Sequence, residues 1–133
     1  MSWLVTGGAG YIGAHVVAAM CAAGEPVVVL DDMSTGDPAR LPNVPLVRAR
    51  VHDTEVVART IREHGIRGVV HLAGKKRVDE SVQRPLHYYE ENVEGLRRLL
   101  QVVTDEGVDS FVFSSSAAVY GNPDVEVVHE DVG

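Results

Sequence analysis

Short apolar runs and helical repeats alternate along this chain from its first residues. Trp3–Val5 is apolar and predicts a strand at about 2–6, and the pattern from Ile12 through Ala23 predicts a helix at 11–23. A second apolar run, Val27-Val-Val-Leu30, predicts a strand at 26–31. Residues 32–45 carry Ser34, Thr35, Gly36, Pro38, Pro42, Asn43 and Pro45 and read as a loop. A short strand is expected at 46–50, then a helix that Asp53 or Thr54 can cap, running to about His64. Gly65 ends that helix, and Gly68–Leu72 supplies a fourth strand. Pro85 suits the first turn of a long helix reaching about Glu106. Along it Val93, Leu96, Leu99, Leu100 and Val103 fall on one face at spacings of three and four. Gly107 stops the helix, Ser110–Ser114 forms a fifth strand, and residues 117–133 look irregular and acidic.

Strands that alternate with helices are the pattern of a parallel sheet covered on its faces. The first junction carries more. Gly7, Gly8, Gly10 and Gly13 satisfy both G-x-G-x-x-G and T-G-x-x-G-x-x-G between the first strand and the first helix. The second strand then ends in Asp31, 18 residues past the last glycine. A strand-glycine-helix-strand-acid unit is the dinucleotide fingerprint. Glycines permit a tight turn and close approach to a pyrophosphate, the helix N-terminus attracts that anion, and the acid accepts from a ribose diol. The fold class is therefore α/β: one Rossmann-type domain over 1–133, about five parallel strands in order 3-2-1-4-5 with flanking helices and right-handed crossovers. Ligand belongs at the carboxyl ends of the strands, at Thr6–Gly13, Asp31–Gly36, Leu72–Arg77 and Ser114–Ser116. An acid at position 31 disfavours a 2′-phosphate, so NAD is expected over NADP.

Composition narrows the field. A net charge of −7, with Lys75-Lys76-Arg77 as the dense basic cluster, argues against a nucleic-acid surface. No apolar run approaches the roughly 20 residues needed to span a membrane. The first strand starts close to Met1 with no charged or cleavable leader, and one cysteine, Cys21, cannot form an internal disulfide, so a cytoplasmic protein is expected. His15, His52, His64, His87 and His129 show no ligand spacing with one another or with Cys21, so no metal site is expected. His71 lies within an apolar strand and reads as a core histidine.

Several longer motifs point to a family. They are Val5-Thr-Gly-Gly-Ala-Gly-Tyr-Ile-Gly13, Leu30-Asp-Asp-Met-Ser-Thr-Gly36, Val69-Val-His-Leu-Ala-Gly74, the E-S-V-x-x-P-L-x-Y-Y stretch from Glu80 to Tyr89, and Phe111-Val-Phe-Ser-Ser-Ser-Ala-Ala-Val-Tyr-Gly121. With these, from residue 2 to Asp131, the chain resembles the N-terminal part of the UDP-glucose 4-epimerase family, within the extended short-chain dehydrogenase/reductase superfamily. The resemblance implies that Gly7, Gly10 and Gly13 shape the cofactor turn, with backbone contacts from Tyr11 and Ile12 to the pyrophosphate. Asp31 would hold the adenosine ribose, and Asp32, Ser34, Thr35 and Gly36 would line the adenosine edge. Arg50 and Val51 would stand by the adenine. Arg50 occupies a place where the family usually has an acid that contacts the adenine amine; an arginine there can only stack on the ring or repel it. Leu72, Ala73, Gly74 and Lys76 would border the nicotinamide ribose with Asn92 nearby, and Ser116 would hydrogen-bond the reacting sugar hydroxyl. The bland alternatives are a turn acid at Asp31, a solvated basic loop at Lys76, and a strand-end serine at Ser116.

The family's general base is a tyrosine followed four residues later by a lysine. Here Tyr11, Tyr88, Tyr89 and Tyr120 are followed at that spacing by His15, Asn92, Val93 and Asp124. The chain reads as a piece that stops before the motif, and an epimerase region without epimerisation of its own is expected. The residues also leave open a standalone dinucleotide- or adenine-nucleotide-binding module, or an oligomeric interaction protein. The implied ligands are NAD and a UDP-sugar. The long helix and fifth strand would expose apolar surface, so a homodimer or higher homo-oligomer is expected.

Overall fold

The computed structural model describes residues 1–132, and its sheet has five strands in the order β3-β2-β1-β4-β5. These are β1 (Ser2–Thr6), β2 (Val27–Asp31), β3 (Leu46–Arg48), β4 (Ile66–His71) and β5 (Ser110–Phe113). Every neighbouring pair is parallel. The expected order and class are both realised. Strands 2, 3 and 5 are shorter than the apolar pattern suggests, and β4 begins earlier, at Ile66.

Alternation within the strands divides the core. Leu4, Leu30 and Val69 face one way and pack with Val57 and Ile61 of α2 (Thr54–Glu63) and with Leu99 and Val103 further along the chain. Val5, Val29 and Val70 face the other way, onto Val17 of α1 (Tyr11–Ala22). Successive strand residues point to opposite faces, so a sheet covered on both sides needs apolar residues in both registers. That is why the strands read as unbroken apolar runs. The register pairs Thr6 with both Leu30 and His71, and Asp31 with Arg48. The carboxyl ends of the strands thus finish along one edge.

Between β4 and β5 the chain departs from expectation twice. A short helix, α3 (Val78–Gln83), precedes Pro85. The long helix itself is then built in three geometries: α4 (Pro85–Tyr88), a π-helical turn over Tyr89–Glu94, and α5 (Gly95–Asp105). Backbone angles at Tyr88, Tyr89 and Gly95 stay right-handed helical, so the axis continues through both joins. The buried face of α5 is Gly95, Leu99, Val102 and Val103, whereas Val93 and Leu100 are exposed. Val93 and Leu100 stand two α-helical turns apart and share the exposed side, because spacings of three and four cover a wider face than the one the sheet buries. Gly107, with φ +66°, ends the helix. Single-turn 3₁₀ helices stand at Pro38–Arg40 and Ala117–Tyr120 within stretches expected to be irregular.

Candidate functional site

The glycines between β1 and α1 are required by the backbone they sit in. Gly7 has φ +71°, and a Cβ there would lie 2.7 Å from the Ala73 nitrogen. A Cβ on Gly13 would run into the Gly7 carbonyl oxygen. Gly10 differs: its backbone is extended, and a Cβ would meet just the Gly7 oxygen, at 3.3 Å. No side chain caps α1, and no acid stands in its first turn. The first N–H groups and the positive end of the helix dipole are thereby left to a ligand.

Asp31 ends β2 and is buried, with 7% of its surface accessible. Its Oδ2 accepts from the Ala9 N–H at 3.0 Å and its Oδ1 from the Met33 N–H at 2.8 Å. The carboxylate ties the glycine turn to the following loop, and each oxygen keeps a further lone pair for a hydroxyl donor. The Asp37 N–H closes the same loop onto the Ala9 carbonyl at 3.0 Å. Gly36 fits against Asp31 Oδ1 and the Ala9 Cβ, where a side chain would stand 3.0 and 2.9 Å away. Asp32 sits below the ordinary carboxylate range. Burial pushes it up, but the Ser34 N–H and hydroxyl, together with Lys75 and Arg50, outweigh that effect.

The loop after β4 is held from behind. Asn92 Oδ1 accepts from the Lys75 N–H at 2.8 Å and its Nδ2 donates to the Lys75 carbonyl at 2.9 Å. The Tyr88 hydroxyl accepts from the Arg77 N–H at 3.0 Å and donates to Glu80 Oε2 at 3.1 Å. Lys75 Nζ reaches back across the mouth to Ser34 Oγ at 3.1 Å.

These segments enclose a cavity of about 560 Å³, within the usual range for cofactor sites. Gly7, Gly10, Tyr11, Ile12 and Gly13 line it, as do Asp31, Asp32, Ser34 and Thr35. Arg50, Val51, Leu72, Ala73, Gly74 and Lys76 complete the expected set at its walls. Gly36, Asn92 and Ser116 lie outside the lining: Gly36 and Asn92 act one layer back, and the Ser116 hydroxyl accepts from the Ala118 N–H at 3.3 Å. Glu80, Tyr88 and Glu91 line the cavity without having been singled out by the sequence. They arrive by packing of α3 and the long helix over the loops; Glu80 and Tyr88 belong to the E-S-V-x-x-P-L-x-Y-Y stretch, which marks a resemblance but does not place them at the cavity.

Arg50 is committed to partners on the long helix. Its Nη2 stands 2.5 Å from Glu91 Oε1 and 3.6 Å from Glu90 Oε1. Burial pulls its pKa down, but the bonds and charges of Glu91 and Glu90 raise it overall. Among the described residues, His52, Glu90 and Glu91 bring possible ligand atoms within 4.8 Å of one another. The single Arg50 guanidinium is shared between the two carboxylates and its charge opposes a cation beside it, so the group reads as an ion-pair network.

Known proteins share this fold. Residues 3–132 match the NAD dependent epimerase/dehydratase family. A UDP-glucose 4-epimerase of Azospirillum brasilense is 46% identical over 129 residues, covering 96% of this chain and 37% of the relative. The UDP-glucose 4-epimerase of Thermus thermophilus, solved in complex with NAD, superposes with a TM-score of 0.92 at 39% identity, over 99% of this chain and 43% of that one. The Stenotrophomonas maltophila UDP-glucose-4-epimerase, solved with bound NAD and formylated UDP-arabinopyranose, gives 0.94 at 38% identity, over 99% and 42%. The chain thus spans well under half the length of these relatives. With its glycine turn, its buried Asp31 and a match over nearly every residue, the chain belongs to the NAD dependent epimerase/dehydratase family.

Proposed function

We propose that this chain is the NAD-binding N-terminal region of a UDP-glucose 4-epimerase-like nucleotide-sugar epimerase. The observation that carries the reading is the convergence of the uncapped α1 N-terminus and the Asp31 carboxylate on one cavity at the switch point of the sheet. The residues present fit the cofactor. The N–H groups of Tyr11 and Ile12 can hold a pyrophosphate against the helix dipole. Asp31 can accept from the adenosine ribose, with Asp32 to Thr35 along its edge, and the Leu72–Lys76 segment can border the nicotinamide ribose. Held there by the Tyr11 and Ile12 N–H groups and Asp31, NAD would supply reversible hydride transfer at the sugar. Around it the chain supplies orientation and a wall against water.

None of the four tyrosines is followed at four residues by lysine. General-base catalysis contributes roughly 10²–10⁴-fold, so residues 1–133 alone hold cofactor without epimerising a UDP-sugar. Calorimetric titration with NAD and a coupled assay with UDP-galactose test both halves of the proposal. Binding without turnover is expected; turnover near that of a full-length relative, or no NAD binding, overturns it. The single Cys21 fits a reducing, cytoplasmic setting. Self-association through the exposed side of the long helix or the β5 edge belongs to the same proposal. Among the described residues, no helix is long and apolar enough to cross a membrane.

A further inference from the structure

The wall of the cavity beyond Asp31 is built by the segment that leaves β3. Arg48 pairs with Asp31 in the sheet, and the Ala49 N–H donates to the Asp31 carbonyl at 3.2 Å. Ala49, Arg50 and Val51 thus enter the lining directly beside the acid. In a nucleotide the ribose stands between base and phosphate. A pyrophosphate at the N-terminus of α1 and a ribose on Asp31 therefore send the base away from β1 and onto this β3 side. Arg50 is the charged member of that segment, and it is fixed at both ends. Its N–H donates to Asp53 Oδ2 at 3.2 Å, and its carbonyl accepts from the Asp53 N–H at 3.0 Å. Its Nη2 is held by Glu91 at 2.5 Å, while its side chain stays 42% exposed. Among the described residues, its Nε and Nη1 make no hydrogen bond.

The acceptors around this wall already have work. Asp31 gives its oxygens to Ala9, to Met33 and, when a nucleotide is bound, to the ribose diol. Glu91 Oε1 takes Arg50; His52 Nε2 meets the Glu90 carbonyl at 2.9 Å, and the histidine's other nitrogen is buried. The guanidinium, by contrast, carries five N–H donors and no acceptor. It can stack on the ring of any purine, and it can donate side by side to the N7 and O6 of a 6-oxo purine. It cannot accept from the 6-amine of adenine. We propose that Arg50 is the base-reading residue of this site and that its donors make the site indifferent to the 6-amine. A dinucleotide of hypoxanthine is then taken at least as well as one of adenine. This inference rests on the reading of the cavity as an NAD site.

Nicotinamide hypoxanthine dinucleotide differs from NAD in the 6-oxo group and the proton on N1, so the ratio of the two affinities isolates this contact. Calorimetric titration of the unaltered protein is expected to show no advantage for NAD. The hypoxanthine form should bind equally or up to about tenfold tighter, the discrimination of one good bidentate pair. An NAD advantage beyond about twofold overturns the proposal, and its disappearance in Glu91→Gln would then assign the amine to Glu91. Arg50→Asp replaces the donors with an acceptor and is expected to move the ratio by about tenfold or more towards NAD. A loss of structure would weaken both ligands together without moving the ratio. A fixed ratio in a variant that still binds therefore overturns the assignment. Where Arg50→Asp does not fold beside Glu90 and Glu91, Arg50→Gln supplies an acceptor without a third negative charge, and a shift of about threefold or more in the same direction is expected. Failure of the unaltered protein to bind either dinucleotide would instead overturn the reading of the cavity itself.

Discussion

The Thr6 hydroxyl lies 2.6 Å from His71 Nδ1, across the buried junction of β1 and β4. The same oxygen accepts from the Leu72 and Ala73 N–H groups, each at 3.3 Å, so its lone pairs are committed and its proton goes to His71. His71 is therefore an acceptor at Nδ1 and carries its own proton on Nε2. One threonine and one histidine thus join the ends of two strands and fix the start of the loop that borders the site.

This pair predicts an acid-sensitive fold. Burial pushes His71 from 6.5 down to about 4, so the native ring is neutral where an unfolded chain would already hold a proton. The stability this represents is complete above about pH 6.5 and is lost as pH falls from there towards 4; it amounts to on the order of 3 kcal/mol. His71→Asn keeps an acceptor for Thr6 and removes the titration. Urea midpoints measured between pH 7.5 and 4.5 should fall more steeply for the unaltered chain than for this variant. Parallel curves would assign the acid sensitivity to another group.

Asp31 predicts the choice of cofactor. With the adenosine ribose against Asp31, as proposed, a 2′-phosphate would have to approach its buried carboxylate, which backbone hydrogen bonds from Ala9 and Met33 keep in place. NAD should bind at least about tenfold tighter than NADP, a modest figure for unscreened like charges at close range. Calorimetry with both nucleotides measures the ratio, and equal or tighter NADP binding would refute it.

The strand-turn-helix-strand segment from Ser2 to Asp31 was legible because each step has a local cause. Apolar runs make the strands, glycines with forbidden Cβ positions make the turn, and an acid ends β2. The π turn was not legible. Its surroundings are tertiary: the Glu90 carbonyl, Glu91 and Asn92 meet His52, Arg50 and Lys75, which lie 17 to 41 positions away in sequence. Helical periodicity carries no trace of those partners. The same blindness hid Glu80, Tyr88 and Glu91 as cavity residues. It also hid the ion pair that Arg50, a cavity residue, makes with Glu91.

Exposed apolar residues predict association. Leu86, Tyr89, Val93 and Leu100 are exposed along the long helix, and Val112 and Phe113 on the edge strand β5. Burying a few hundred Å² of such surface is worth several kcal/mol at roughly 25 cal/mol per Å², before the entropic cost of joining two molecules. Light scattering at micromolar concentration should report a dimer or larger species. A monomer mass across that range would rule it out.

Two glycines of one turn should fail in different ways. At Gly13 a Cβ has nowhere to go: the Gly7 carbonyl oxygen and, at 2.7 Å, the Gly8 Cα are backbone atoms of a tight turn. Gly13→Ala should therefore cost about 1–3 kcal/mol of stability or more, as overpacking does, and lower the thermal midpoint whether or not ligand is present. Gly10 stands at the N-cap of α1 with a single contact at 3.3 Å, and it lines the cavity. The folded chain can accept a side chain there, but the isopropyl group of Gly10→Val would fill the space a pyrophosphate must enter. That variant should keep its stability within about 1 kcal/mol and lose NAD affinity by roughly a hundredfold or more. Thermal melts and NAD titrations on both variants separate the two effects. If Gly10→Val binds NAD normally, the pyrophosphate does not sit on this helix terminus.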